Sequence, residues 1–287
     1  MRHFIRPFAV LFAVAACSFA GAARADLVLP RVSPSATVKQ TVGTTDFTLV
    51  YSRPGVKNRA IWGTLVPYDS LWRTGANEAT TLTSTDPFQF GGQAVPAGTY
   101  ELFTIPGRNQ WTVILNRENG GWGTNTYKRE NDVVRVTATP SAAEPSEWLW
   151  LGFEDLGASS ANLVLRWEKL RVAVPISVDV NGKVLAAARD AVAAMKPDDW
   201  RTCYQAASFC LSANVAMDEG RAWLDRSLKI QRNFSNVGLD ARWLAQEGRK
   251  ADAIRTAEQA LEIAKTAKDK PETGPLEQSL AGWKAGR

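Results

Sequence analysis

The residues with most chemistry to offer crowd into one stretch, DSLWRTGANEATTL from Asp69 to Leu82, where Arg73, Asn77 and Glu78 fall close together. An arginine beside an asparagine offers planar N–H donors that grip a carboxylate, a phosphate or a sugar hydroxyl. Glu78 could act as an acid or base if a second carboxyl, such as Glu101, stood opposite, and paired carboxylates suit glycoside hydrolysis. The plainer reading of an Arg near a Glu is an internal ion pair, because buried charges must be paired. On that reading Arg73 serves the fold, and Arg73→Ala would lower stability. Arg53 and Arg59, just upstream, complete the polar set. Further along, Asn119-Gly120-Gly121-Trp122-Gly123 invites comparison with a phosphate cradle, but neither a Lys-Ser/Thr ending nor a helix follows it. It reads as an aromatic-tipped loop, with Trp122 as the exposed stacking residue.

Other chemistries are excluded by what the chain lacks. Its first residues, MRHFIRPFAVLFAVAACSFAGAARA, carry a basic start at Arg2 and Arg6, an apolar run from Phe8 to Ala20, and Ala23-Arg24-Ala25 at small-x-small spacing. This is the pattern of a secretory signal cleaved before Asp26, and the apolar run is short for a membrane anchor. Val14-Ala15-Ala16-Cys17 is the competing reading, a lipoprotein signal with the anchor on Cys17. Cleavage would remove three arginines and no acid, cutting the formal charge from +5 to about +2. That balance argues against nucleic acid as a partner. The only histidine, His3, would leave as well, so no Ser-His-Asp or Cys-His site can be built and no metal or cofactor motif remains. Cys203 and Cys210 lie seven apart in a helical segment, roughly 10 Å along its axis, which is beyond disulfide reach. They read as two packed thiols.

These residues have to be positioned by two kinds of element. Up to about residue 180 the chain reads as short strands: 37–42, 45–51, 79–85, 98–105, 110–116, 132–139, 147–153, 162–167 and 171–178. Phe47, Leu49 and Tyr51 alternate onto one face, as do Trp111, Val113 and Leu115. Gly91-Gly92 supplies a hairpin turn, and Pro96-Ala97-Gly98 opens the next strand. The expected fold is an all-β sandwich or jelly-roll-like domain over 26–180. Seven of the 11 tryptophans fall here. Trp148 and Trp150 share one strand face; core packing is the default for each, and exposure of the pair would point to ligand stacking. From 181 to 287 the pattern turns helical and Ala-rich, with helices over 183–195, 198–212, 217–231, 237–247 and 250–268. Ala253, Ala257, Ala260 and Ala264 form a close-approach face, and the tail after Pro271 reads as loose or frayed. These hairpins are weakly similar to tetratricopeptide pairs. Such a module offers a partner groove, or else caps a sheet edge or makes a dimer.

DSLWRTGANEATTL thus lies in a long structured loop between two strands. Its backbone needs hydrogen bonds that strands do not supply. Around it, YSRP (51–54), RAIWGTLVPY (59–68), LWRTGANEAT (71–80), VPAGTYELFTIP (95–106) and WTVILN (111–116) closely resemble the family known as "domain of unknown function 2911", over about 32–178. The resemblance implies an exported bacterial protein with a β domain often followed by helices, and no established reaction or catalytic residue. The expected function is therefore a non-catalytic envelope module that binds a glycan, a peptide or another envelope protein. The alternative is a His-free, carboxylate-dependent hydrolase of glycans.

Overall fold

A computed structural model describes residues 29–117 and 120–286. The expected signal segment with Cys17, and Asn119 of the Gly-rich loop, lie outside these residues. The strands are β1 (Ser35–Val42), β2 (Thr45–Ser52), β3 (Thr81–Ser84), β4 (Phe88–Phe90), β5 (Gln93–Val95), β6 (Gly98–Ile105), β7 (Trp111–Asn116), β8 (Asp132–Ala138), β9 (Ser141–Glu154) and β10 (Ser160–Ser177). They form two antiparallel sheets, one ordered β1-β2-β3-β6-β7-β8 and the other β5-β4-β10-β9. This is the expected β-sandwich. Alternation puts Phe47, Leu49 and Tyr51 of β2 and Leu149 and Leu151 of β9 into one shared core, where all are buried.

Two strand expectations need correction. The runs 162–167 and 171–178 are one strand, β10, whose pairing with β9 shifts around Glu168, a residue at φ 58°. The polar Glu168-Lys169 pair that looked like a turn is an irregularity inside a continuous ladder. The Gly91-Gly92 turn (φ 56° and 80°) is flanked by β4 and β5, strands of three residues each and too short to show alternation.

Helices follow directly: α1 (Val180–Ala194), α2 (Trp200–Ala213), α3 (Met217–Ile230), α4 (Phe234–Gln246), α5 (Lys250–Thr266) and α6 (Gly274–Lys284). Asp179 and Asp199 cap the first two by accepting from Gly182 N and from Arg201 N and Thr202 N. The expected alanine face of α5 is buried. The tail after Pro271 does not fray but forms α6, with Pro275 in its first turn, where a missing N–H costs nothing. Leu276 and Leu280 seat α6 against the helices before it. Cys203 and Cys210 are buried, unpaired thiols of α2, and burial pushes both above the usual thiol pKa. No described helix is long and apolar enough to cross a membrane.

The two halves meet through α1. Lys183 Nζ donates to Asp86 Oδ2 at 2.6 Å and to the carbonyl of Thr44 at 2.9 Å. Gly43, at φ 58° in the β1–β2 turn, lets Val180 approach to within 2.2 Å of where a Cβ would stand. Any other residue there would force the junction apart.

Candidate functional site

The connection from β2 to β3 runs from Arg53 to Thr80 with little regular structure, and it is anchored rather than loose. Trp72 N donates to the Thr104 carbonyl at 2.7 Å and Thr104 N donates back at 2.8 Å, while Asp69 N reaches the carbonyl of Pro106 at 2.8 Å. β3 covers β6 only as far as Glu101, so the loop takes over the ladder where the strand stops. The turns needed for this are tight. Lys57, Asn58, Asp69, Thr74 and Asn77 all have φ between 48° and 60°. For Thr74, β-branched and buried, that conformation costs about 1–3 kcal/mol. It is held by the Thr80 hydroxyl, which donates to the Thr74 carbonyl at 2.9 Å, and by a 3.2 Å hydrogen bond from the Thr74 hydroxyl to that of Thr104.

The strained turn at Thr74 presents Arg73 to a cleft of about 320 Å³. Behind the cleft is a cluster of four indoles. Trp72 and Trp167 stack with centroids 5.9 Å apart and planes at 21°, and Trp62 meets Trp111 edge-on at 5.1 Å and Trp167 edge-on at 5.7 Å. Trp72 donates its Nε1–H to the carbonyl of Gly75 at 3.0 Å, while Nε1 of Trp62, Trp111 and Trp167 are buried without a conventional acceptor. Edge-to-face packing gives such N–H groups ring faces to point at. Trp72 and Trp167 line the cleft, Val32 and Ser33 form another wall, and Lys57, Arg59 and Arg73 supply its charge.

The sequence profile of a family described as "Protein of unknown function (DUF2911)" matches residues 33–176, half of the chain. The chain belongs to the DUF2911 family. No curated protein and no solved structure matches it. The DUF2911 match starts just before β1 and ends within β10, so it takes in both sheets and the whole β2–β3 loop.

Within the DUF2911 domain, the six residues marked from sequence separate into three groups. Arg59 and Arg73 line the cleft. Arg59 folds back on its own loop, donating from Nη2 to the Gly55 carbonyl at 2.6 Å and from Nε to that of Val56 at 3.1 Å. Arg53, Asn77 and Glu78 instead hold the surrounding walls together. Arg53 Nε donates to the Leu149 carbonyl at 2.8 Å, tying the loop to β9. Asn77 Nδ2 donates to the Ser33 carbonyl at 3.1 Å, and Arg31 Nη1 donates to Glu78 at 2.8 Å, so both secure the segment that carries Val32 and Ser33. A hydrogen bond from its own backbone N–H, and then Arg31, hold the Glu78 carboxyl below the usual carboxylate range. Trp122 stands apart at the tip of the Gly-rich loop, 60% exposed, in an antiparallel bridge with Glu78.

The expected internal ion pair of Arg73 and Glu78 does not form; the pair at Glu78 is an exposed one. Glu78 takes Arg31, and Arg73 makes no ion pair or hydrogen bond among the described residues, although its Nε is buried. Its Nη1 lies 3.2 Å from where a Cβ on Gly123 would stand, so the guanidinium sits between the cleft and the Trp122 loop. Glu101 is fully buried, with Oε1 accepting from Gly121 N at 2.8 Å, whereas Glu78 faces solvent. The two acids do not share the Arg73 cleft, whose lining has no carboxylate among the described residues. Sequence reasoning missed Lys57, Ser33 and Trp167 as cleft residues. Lys57 could have been added from its place in the same loop, but nothing local marks a strand residue such as Trp167, more than 100 positions away in sequence, as part of the floor.

Proposed function

We propose that the DUF2911 domain of this chain is a non-catalytic binding module that takes an anionic ligand in the cleft at Arg73. It works in the bacterial envelope, periplasmic or secreted after cleavage before Asp26. Arg73 carries the reading. A guanidinium with a buried, unsatisfied Nε and no counter-ion among the described residues costs the fold about 1–3 kcal/mol. Lys57 and Arg59 add charge to the same cleft without ion pairs of their own among the described residues, and a strained turn is kept to aim Arg73 there. A carboxylate, phosphate or sulfate would satisfy the donors in a partly dry site, where such bonds are strongest. The export half of the reading rests on the amino-terminal sequence alone, with lipidation of Cys17 as its competitor, and intact mass of the mature protein decides between them.

The direct test is titration calorimetry of the purified protein with inorganic phosphate, acetate and a hexuronate at low ionic strength. One-to-one binding of at least one anion is expected, weakening with added salt and lost in Arg73→Ala. If no anion binds, or if binding survives in Arg73→Ala, the cleft is not the site.

A further inference from the structure

Outside the cleft, the strongest unexplained feature is the outer face of β9. Leu149 and Leu151 point into the core, so Trp148 and Trp150 point out, and Trp148 is 38% exposed. Trp150 lies flat on the sheet: a Cβ on Gly152 would fall 2.4 Å from its ring, so only glycine leaves room for that pose. A cation sits over one face of each ring, Lys57 Nζ at 5.9 Å from the Trp148 centroid and Arg166 at 5.7 Å from that of Trp150. Arg166 is also paired with Glu154 at 2.6 Å, whereas Lys57 has no ion pair among the described residues.

This aromatic strip is continuous with the cleft. Gly55 lines the cleft and forms a bridge with Trp148, whose ring would lie 3.3 Å from a Gly55 Cβ. Lys57 lines the cleft as well. Val56 N and Leu149 N donate to the carbonyls of Glu147 and Pro54 at 2.8 and 3.0 Å, so the cleft mouth is hydrogen-bonded to β9. Glu147 lies at this rim, and its Oε1 accepts from Lys57 N at 2.9 Å. The surface thus offers two partly exposed indoles, each with a cation over one face, leading to a cationic end. A peptide side chain fits better into a concave apolar pocket. A pyranose ring presents a flat C–H face to an indole and a rim of hydroxyls to the polar border.

The geometry points to an acidic oligosaccharide as the ligand, with a hexuronate-type carboxylate in the Arg73 cleft and the following sugars laid along Trp148 and Trp150. This rests on the anion-binding reading of the cleft and assigns its ligand class and direction. Trp122, on the other side of Arg73, is not part of the track.

The test compares a hexuronic acid monosaccharide, its linear tetramer and a neutral tetramer of the same length, by calorimetry on the whole mature chain. The acidic tetramer should bind about tenfold more tightly than the monomer, and the neutral tetramer much more weakly. Trp148→Ala should erase the tetramer's advantage while leaving monomer affinity within about twofold, with Trp150→Ala intermediate and Trp122→Ala silent. An unchanged melting temperature shows that each variant is folded, and Trp148→Leu gives a second reading if the alanine variant is not. Equal binding of monomer and tetramer, or a tetramer advantage that survives Trp148→Ala or is lost instead in Trp122→Ala, overturns the sugar track and leaves the cleft standing. Arg73-dependent binding of phosphate or acetate without any uronate binding does the same. No binding of any anion overturns the cleft reading and this inference with it.

Discussion

The helices and the cleft of the β domain treat their cations differently. Along the helices several cations find acids: Arg189 pairs with Glu219, Arg221 with Asp225 and Asp240, Arg249 with Asp252, and Lys284 with Glu258. In the cleft of the β domain, Lys57, Arg59 and Arg73 have no ion pair among the described residues, although Glu78 and Glu147 are close in the same structure. Those acids are engaged elsewhere, by Arg31 and by a backbone N–H. Those helical cations are satisfied within the fold, whereas the cleft leaves a cationic patch open over an aromatic floor. The helical charges serve the fold, and the cleft charges are left for something that arrives.

The largest expected effect comes from removing the floor the cleft charges stand on. Trp167→Ala deletes a buried indole from the four-ring cluster and should cost about 3–5 kcal/mol in urea denaturation, with a concurrent loss of anion binding. Retained binding in that variant would separate the cleft from the cluster. The helical side of the contrast is probed by Arg221→Ala, which strands Asp240, a residue with only 14% of its side chain exposed. A loss of about 1–2 kcal/mol is expected, without any effect on ligand binding.

A smaller effect is expected at the junction of the halves. Lys183 holds Asp86 below the usual carboxylate range, first through its hydrogen bond, with Thr85, Thr45 and the Lys183 charge adding to it. A carboxyl lowered on folding stabilises fully above its unfolded pKa of about 3.9 and loses that contribution as pH falls through its lower folded value. The pair is partly exposed, so its worth is under about 1 kcal/mol. Lys183→Met should lower the unfolding midpoint slightly at pH 7 and flatten its decline below about pH 4. An unchanged acid limb would mean that another group carries the junction.

Much of the scaffold was legible because it depends on local periodicity. Phe47-Leu49-Tyr51, Trp111-Val113-Leu115 and the alanines of α5 each sit where alternation or helical spacing puts them. The misses occurred where local rules compete. The tail after Pro271 read as frayed, but Pro275 occupies the first turn of α6, and the gap between the expected strands 162–167 and 171–178 is an irregularity in one strand. At the cleft, sequence marked the loop that lines it and misassigned that loop's charges. The partner of Glu78 is Arg31, 47 residues earlier, and no spacing rule connects two residues that meet only because the β1 entry crosses the loop. The isolation of Arg73 was illegible for the same reason, since it depends on where every nearby acid points. The outward pair Trp148 and Trp150 was visible as a shared face, but its continuity with Gly55 and Lys57 was not.

The claim that the cleft charges do not serve the fold is tested most directly by the urea midpoint of unliganded Arg73→Ala against the parent protein. Removing a guanidinium with a buried Nε and no ion pair among the described residues should leave stability unchanged or raise it by up to about 1 kcal/mol. A loss of more than about 1 kcal/mol would mean that Arg73 is a structural residue after all, and the contrast between the two halves would not stand.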